Sequence, residues 1–263
     1  MPKGREARAA RAMRAREPKL VENDRNLLGL RGPSSSALGV SVLRDLLSLK
    51  NPHTRMLGRK NDIRPLEDAS SLEFLCERND CSAFAYTSSS KKRPHNVILG
   101  RLFDGHVLDM FELGTNDFAD MTMFRGPKKR LGSAPAFIFQ GDAWTRDVVL
   151  ARLQNTILDV WGSRNMTHLS LEGLDHVIVL SAVEDAAAGA AAGGDGSAAF
   201  RGALHWRTYT LAFSNAGGPT PKVDLSSMGP SIDFTLRRFQ LASDSLYKSA
   251  RQQPAQCVAF YYL

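Results

Sequence analysis

The sequence predicts a mixed fold, α/β or α+β, behind a basic arm. Short apolar or alternating runs, the mark of strands, outnumber every other pattern. Two longer stretches, Leu38–Leu49 and Val149–Val160, repeat apolar residues at helical spacing and lie among those runs. Of the 263 residues, 43% are hydrophobic and 23% charged, the balance of a chain that buries a core.

Residues 1–26 read as the arm. Arg5, Arg8, Arg11 and Arg14 recur every third residue, which a helix would gather on one slowly drifting side. No apolar stripe opposes them, so that helix is expected to form against a partner. Leu27–Leu30 reads as a strand. Gly32, Pro33 and Ser34–Ser36 break it and lead into a helix ending near Lys50. A serine-rich loop before a helix is either its N-cap or a phosphate cradle. Asn61–Pro65 is a turn, and Ser70 with Glu73 has the spacing of a capping box for a short helix through Arg78. Ser82–Thr87, Val97–Phe103 and His106–Leu113 read as strands, the last two joined at Asp104-Gly105. Ala136–Phe139 reads as a short buried strand, and the second long helix ends near Gly162. Strands follow at His168–Ser170, His176–Val183, Leu204–Phe213 and around Ile232–Leu236, then a short helix at Ser243–Arg251. Residues 184–199 hold eight Ala, four Gly, three acids and one Ser, with no bulky side chain to bury, and read as a flexible insert. The two parts, about 27–140 and 141–250, each hold one long helix and several strands. That arrangement suggests a duplication, without a visible sequence repeat.

Several function classes are excluded or disfavoured. No apolar run approaches the roughly 18 residues of a membrane helix. The arginine-rich start lacks the apolar core of a secretory signal, and Glu6 and Glu17 argue against a mitochondrial presequence. Cys76, Cys81 and Cys257 are too few and too odd in number for a disulfide framework, and without a second pair they do not make a zinc site. No phosphate loop, dinucleotide fingerprint, H-E-x-x-H or G-x-S-x-G is present, and the six histidines lack ligand spacing. No catalytic, metal or cofactor site is assigned.

The charge distribution carries more. The net charge is +7, yet residues 1–60 hold 14 Lys/Arg against 5 Asp/Glu, while the remaining residues hold 20 against 22. Cations also cluster on loops: Lys91, Lys92 and Arg93; Lys128, Lys129 and Arg130; and Arg237 with Arg238 at the end of an alternating strand. Any one run is commonly just solvated charge. Together with the arm they point to a phosphate backbone, whose neutralisation releases counterions. No aromatic residues interleave with these runs, so shape and phosphate recognition of structured RNA fits better than base stacking.

An ordered series of motifs then becomes recognisable: Arg16-Glu-Pro-Lys-Leu-Val-Glu-Asn23, Lys60-Asn-Asp-Ile-Arg-Pro65, Ser71-Leu-Glu-Phe74 and Asn79-Asp-Cys-Ser82. Lys91-Lys-Arg-Pro94, Gly100-Arg-Leu-Phe-Asp104, His106-Val-Leu-Asp-Met110 and Glu112-Leu-Gly114 follow. The second part adds Met228-Gly-Pro-Ser-Ile-Asp233, Leu241-Ala-Ser-Asp244 and Leu246-Tyr-Lys248. From about residue 16 to 248 this series resembles the Brix-domain superfamily of ribosome assembly factors, in its large-subunit branch.

The resemblance implies an α/β Brix fold of two similar halves, related to the anticodon-binding domain of aminoacyl-tRNA synthetases. It implies a non-catalytic, nucleolar factor of the nucleus that binds rRNA and helps bring the 5S ribonucleoprotein to large-subunit (60S) precursors, with pre-rRNA maturation depending on it. The implied partners are the regulator of ribosome synthesis protein, as a heterodimer completing the fold, 5S rRNA with its two associated ribosomal proteins, and the pre-60S particle. The alternatives are another Brix-type pre-rRNA factor, or a protein-interaction scaffold whose basic arm is an import signal. Carried onto this chain, the RNA-contact residues are Lys91, Lys92 and Arg93, then Arg237 and Arg238 after a turn shaped by Gly229 and Pro230. Arg101 either pairs with Asp104 or Asp109 or touches RNA. Two departures stand out: the insert at 184–199, and an apolar end, Gln256–Leu263, where the family usually continues into a Lys/Arg-rich tail.

Overall fold

The computed structural model of the chain describes residues 25–162, 171–185, 200–215, 217 and 220–251. The arm arginines 5, 8, 11 and 14, the strand expected at 168–170 and most of the Ala/Gly insert lie outside them. The first part runs β1 (Leu27–Arg31), α1 (Ala37–Lys50), β2 (Thr54–Lys60), α2 (Ser70–Arg78), β3 (Ala83–Ser88), β4 (Asn96–Phe103) and β5 (His106–Ala119). The second runs β6 (Ala136–Gln140), α3 (Ala143–Arg146), α4 (Val148–Trp161), β7 (His176–Glu184), β8 (Gly202–Ser214), β9 (Lys222–Ser227), β10 (Ser231–Gln240) and α5 (Asp244–Ala250).

Local chemistry accounts for the helices. Ser36 Oγ accepts from the Gly39 N–H, so the serine loop is the N-cap of α1. Val42, Leu43, Leu46, Leu47 and Leu49 then bury one stripe. Asp147 caps α4 through the amides of Val149 and Leu150, and Leu153, Ile157 and Val160 face inward. α2 corrects an expectation. Its N-cap is Ala69, with no side-chain cap bond, so the capping box does not form. Glu73 instead accepts the Val107 N–H at 2.8 Å and faces His106, tying α2 to the turn between β4 and β5.

All ten strands join one sheet in the order β2-β1-β3-β4-β5-β10-β8-β7-β6, with β9 paired to the far end of β8. β1–β2, β1–β3 and β6–β7 are parallel, and the other neighbours antiparallel. The seam between the two parts is β5 against β10. The parts are alike: β1, a helix, then β3, β4 and β5 correspond to β6, a helix, then β7, β8 and β10. β6, which a division at 140 leaves with the first part, pairs with β7 at the opposite end of the sheet.

Alternation along each strand separates two apolar clusters. The larger packs α1 and α4 against strands of both parts, with the Trp161 indole N–H donating to the Leu46 carbonyl at 3.0 Å. The smaller lies on the opposite face, where α2 covers Leu28, Leu30, Phe84, Tyr86, Ile98 and Met110. It stops at β5. Beyond β5, that face presents Asp233 and Thr235 of β10, His205 and Arg207 of β8, and Val183 of β7, with no helix over it among the described residues. β6 is an edge strand, and its Ile138 is exposed rather than enclosed as the sequence suggested. β2 and β9 were not anticipated; β2 carries exposed Arg55, Arg59 and Lys60 on the other edge.

Candidate nucleic-acid interface

The β3–β4 connection carries Lys91, Lys92 and Arg93, and its shape is fixed from several sides. Ser90 and Arg93 exchange backbone hydrogen bonds, and the Ser90 hydroxyl accepts a third from the Arg93 N–H. His95 sits at φ +52°, with its Nδ1 2.8 Å from the α1 cap Ser36 Oγ. Asn96 donates to the Arg93 carbonyl at 3.1 Å. Lys91 and Lys92 stand exposed at the tip, with no ion-pair partner among the described residues.

β10 reaches this loop from the other part of the chain. The β5–β10 register shifts between Leu236 and Arg238, and such a bulge re-aims side chains. Both arginines therefore meet β5 on one face. Arg237 lies flat across Gly114, where a Cβ would collide with its guanidinium. Its Nη1 donates to the Pro94 carbonyl at 2.8 Å and to Asn96 Oδ1. Arg238 Nε donates to Glu112 Oε2, while Arg93 Nε stands 3.6 Å from Glu112 Oε1. Burial lowers the Arg237 pKa, Glu112 opposes that, and the like charge of Arg93 adds to it. One buried carboxylate thus sits among three arginines, and the tip lysines extend the positive surface. Such a surface can grip phosphate oxygens, because each guanidinium spends one side on the protein and keeps other N–H groups for a ligand.

The remaining candidates lie elsewhere. Arg101 is enclosed: it pairs with Asp109 at 3.0 Å and with Asp159 of α4, and only 11% of its side chain is exposed. Of the two readings for it, the geometry shows the ion pair, with Asp109 rather than Asp104. Lys128 is spent within the protein, its ammonium donating to the carbonyls of Met121, Phe124 and Met228 at 2.6, 2.9 and 2.9 Å. Lys129 is half-buried, and burial lowers its pKa against the pull of Asp175. Arg130 is exposed, with its Nε 3.5 Å from Asp175. This loop fastens the segment between β5 and β6 to the residues before β7 and β10, away from the loop at 91–93. Gly229 takes φ +74° in the turn before β10.

Sequence reasoning missed Glu112, Gly114 and Asn96 as parts of the site. A carboxylate inside the apolar run Leu108–Leu113 was the available signal, since a buried charge calls for a cation. Among the described residues no group of three His, Cys, Asp or Glu is placed to hold a metal, and no helix is long and apolar enough to cross a membrane. Burial pushes the Cys76 thiol up to about 12 and the Cys81 thiol to about 11, which leaves both unreactive.

Comparison with known proteins gives a consistent result. The Brix domain family model matches residues 32–238. A Drosophila melanogaster ribosome production factor 2 homolog is 37% identical over 255 residues, covering 97% of this chain and 74% of that protein. The Homo sapiens ribosome production factor 2 homolog is 36% identical, covering 94% of this chain and 75% of its own length. A crystal structure of a probable ribosomal biogenesis protein from Aeropyrum pernix aligns over 83% of the chain at 10% identity, with a TM-score of 0.46.

Proposed function

The chain belongs to the Brix-domain family, among the ribosome production factor 2 homologs, and from that premise we propose that it holds rRNA on the face built by Lys91, Lys92, Arg93, Arg237 and Arg238 while a protein partner completes its second part. It is a ribosome biogenesis factor; the finer reading is recruitment of the 5S ribonucleoprotein to nucleolar precursors of the large subunit, by positioning rather than catalysis. The observation that carries the RNA side is the convergence of two cation groups, 144 residues apart at Arg93 and Arg237, around Glu112.

The sheet edges support the partner side. An unpaired edge is a template for another strand, and proteins protect edges they keep free with charge. The β2 edge carries Arg55, Arg59 and Lys60, whereas β6 reads Ala-Phe-Ile-Phe-Gln without a charge. In the first part β2 flanks β1 and α2 covers the second face; among the described residues neither has a counterpart beside β6. A strand and a helix from the regulator of ribosome synthesis protein would fill both places.

The test is 5S rRNA binding across a salt series, with and without that partner, against an unrelated structured RNA of equal length. Preference for 5S rRNA that survives moderate salt is the expected outcome. Changing Lys91, Lys92 and Arg93 to Ala should flatten the salt slope by about 0.7–0.9 per lost phosphate contact. An unchanged slope removes this loop from the interface.

A further inference from the structure

We propose that Glu112 is a positioning residue for RNA: a buried carboxylate that never meets the ligand but holds Arg93, Arg237 and Arg238 together as one phosphate seat. The proposal rests on the RNA reading above and adds a residue of the opposite charge to it. Glu112 is 1% exposed, so phosphate cannot reach it. Its β5 neighbours Phe111 and Leu113 point into the large core, which turns Glu112 toward the other face, opposite Ile98. There Oε2 takes the Arg238 Nε, while Oε1 has no hydrogen-bond partner and faces Arg93 Nε across 3.6 Å. The arginines keep 42% (Arg93) and 40% (Arg238) of their side chains exposed. Three guanidiniums repel one another; Arg237 is fixed by the Pro94 carbonyl and Asn96, and without a central anion Arg93 and Arg238 would turn away from Arg237 into solvent. The carboxylate offsets that repulsion while leaving the group with net positive charge. The half-open geometry at Oε1 also keeps Arg93 loosely tied, free to turn its Nη groups to a phosphate oxygen.

The idea makes a prediction opposite in sign to simple electrostatics. Glu112→Gln removes one negative charge and raises the net charge by one, so a polyanion grip alone would tighten. If Glu112 positions the arginines, 5S rRNA binding by the full chain weakens instead, by about tenfold for one lost charge-assisted contact. The salt slope should also fall by about 0.7–0.9. Glu112→Asp keeps the charge and shortens the reach by one methylene. It should weaken binding in the same direction, and it serves as the readout if the glutamine variant does not fold. Arg93→Met, alone and combined with Glu112→Gln, completes a cycle; a positioning role makes the double variant little weaker than either single one. Binding by Glu112→Gln and Glu112→Asp that equals or exceeds the parent, while Arg93→Met and Arg238→Ala lose affinity, overturns the positioning role and leaves the RNA reading intact. Loss of affinity in none of the four variants removes this face from RNA binding, and the proposal with it.

Discussion

Asp109→Ala tests what holds the two parts of the sheet in one arrangement. Asp109 is fully buried on β5. It accepts from Arg101 of β4 at 3.0 Å, Arg152 of α4 at 3.5 Å and the Ala242 amide behind β10 at 3.0 Å. Arg101 and Arg152 keep only 11% and 12% of their side chains exposed. The Arg152 guanidinium also lies 3.2 Å from the Tyr247 ring centre on α5. Removing one partner of a buried ion pair costs about 3–5 kcal/mol, chiefly because it strands the other charge. Asp159 still faces Arg101, so the lower part of that range applies, about 3–4 kcal/mol. In a domain of this size that lowers Tm by roughly 6–16 °C. The assay is urea unfolding beside calorimetry, with the urea slope checked for constancy. Replacing Asp109, Arg101 and Arg152 together by apolar residues of similar volume should recover much of the loss, since no buried charge is then stranded: Asp159 is 38% exposed and keeps Arg25 at 3.0 Å. A loss below about 1 kcal/mol in the alanine variant, or a triple variant weaker than it, refutes this account of the junction.

Three further outcomes follow from the same geometry. Burial raises the Asp45 carboxyl from 3.8 to about 6, with Asp120 adding and the Met121 N–H and Lys128 opposing. The folded state therefore binds that proton more tightly than the unfolded chain does. The stability this contributes is present below pH 4 and is lost as pH rises through about 6. Asp45→Asn should stabilise the protein at pH 7 by roughly 1–2 kcal/mol, allowing for partial exposure, and by nothing at pH 4; equal gains at both pH values would falsify the linkage. Gly114→Ala should push the Arg237 guanidinium off β5 and cost as much 5S rRNA affinity as Arg237→Ala; normal affinity in the glycine variant would mean that the flat seat is unimportant. Ile138→Lys on the β6 edge should change stability by less than about 0.5 kcal/mol, being exposed, yet reduce capture of the partner, and full capture in a pull-down would move the docking edge elsewhere.

The sequence reveals elements well where one physical signal dominates. α1 and α4 stand out because their apolar stripes have no competitor, and β10 because Ile232, Phe234 and Leu236 alternate with polar residues. β2 escaped because Thr-Arg-Met-Leu-Gly-Arg-Lys buries little and shows neither an apolar run nor a clean alternation. The capping box at Ser70 and Glu73 failed because spacing cannot show that a distant amide, that of Val107, competes for the same carboxylate. The site divides in the same way. Lys91–Arg93 and Arg237–Arg238 are visible as charge. Lys128 looked identical on the page and differs only because three carbonyls surround it in space. Glu112 shows only as a carboxylate inside an apolar run, and Gly114 carries no local mark: their roles arise when β10 bulges against β5.

The likeness of the two parts shows what the second lacks among the described residues. Each part places a helix on the large cluster, and the first adds β2 and α2, which close its edge and its second face. In the second part the chain passes from α4 to β7 without a strand or helix comparable to β2 and α2 among the described residues. A sheet surface left in that state is either polar or covered. Here it is both by turns: Asp233, His205 and Arg207 form a hydrogen-bonded polar group near the seam, while Ile138 and Val183 lie exposed toward β6. Under the proposed function, this polarity gradient divides the labour. The arginine cluster and the polar strip suit a hydrated, charged ligand at the centre of the sheet, and the apolar margin suits a protein segment at its end. Under the proposed function, two partners sit side by side on one face, and the sheet between them sets their distance.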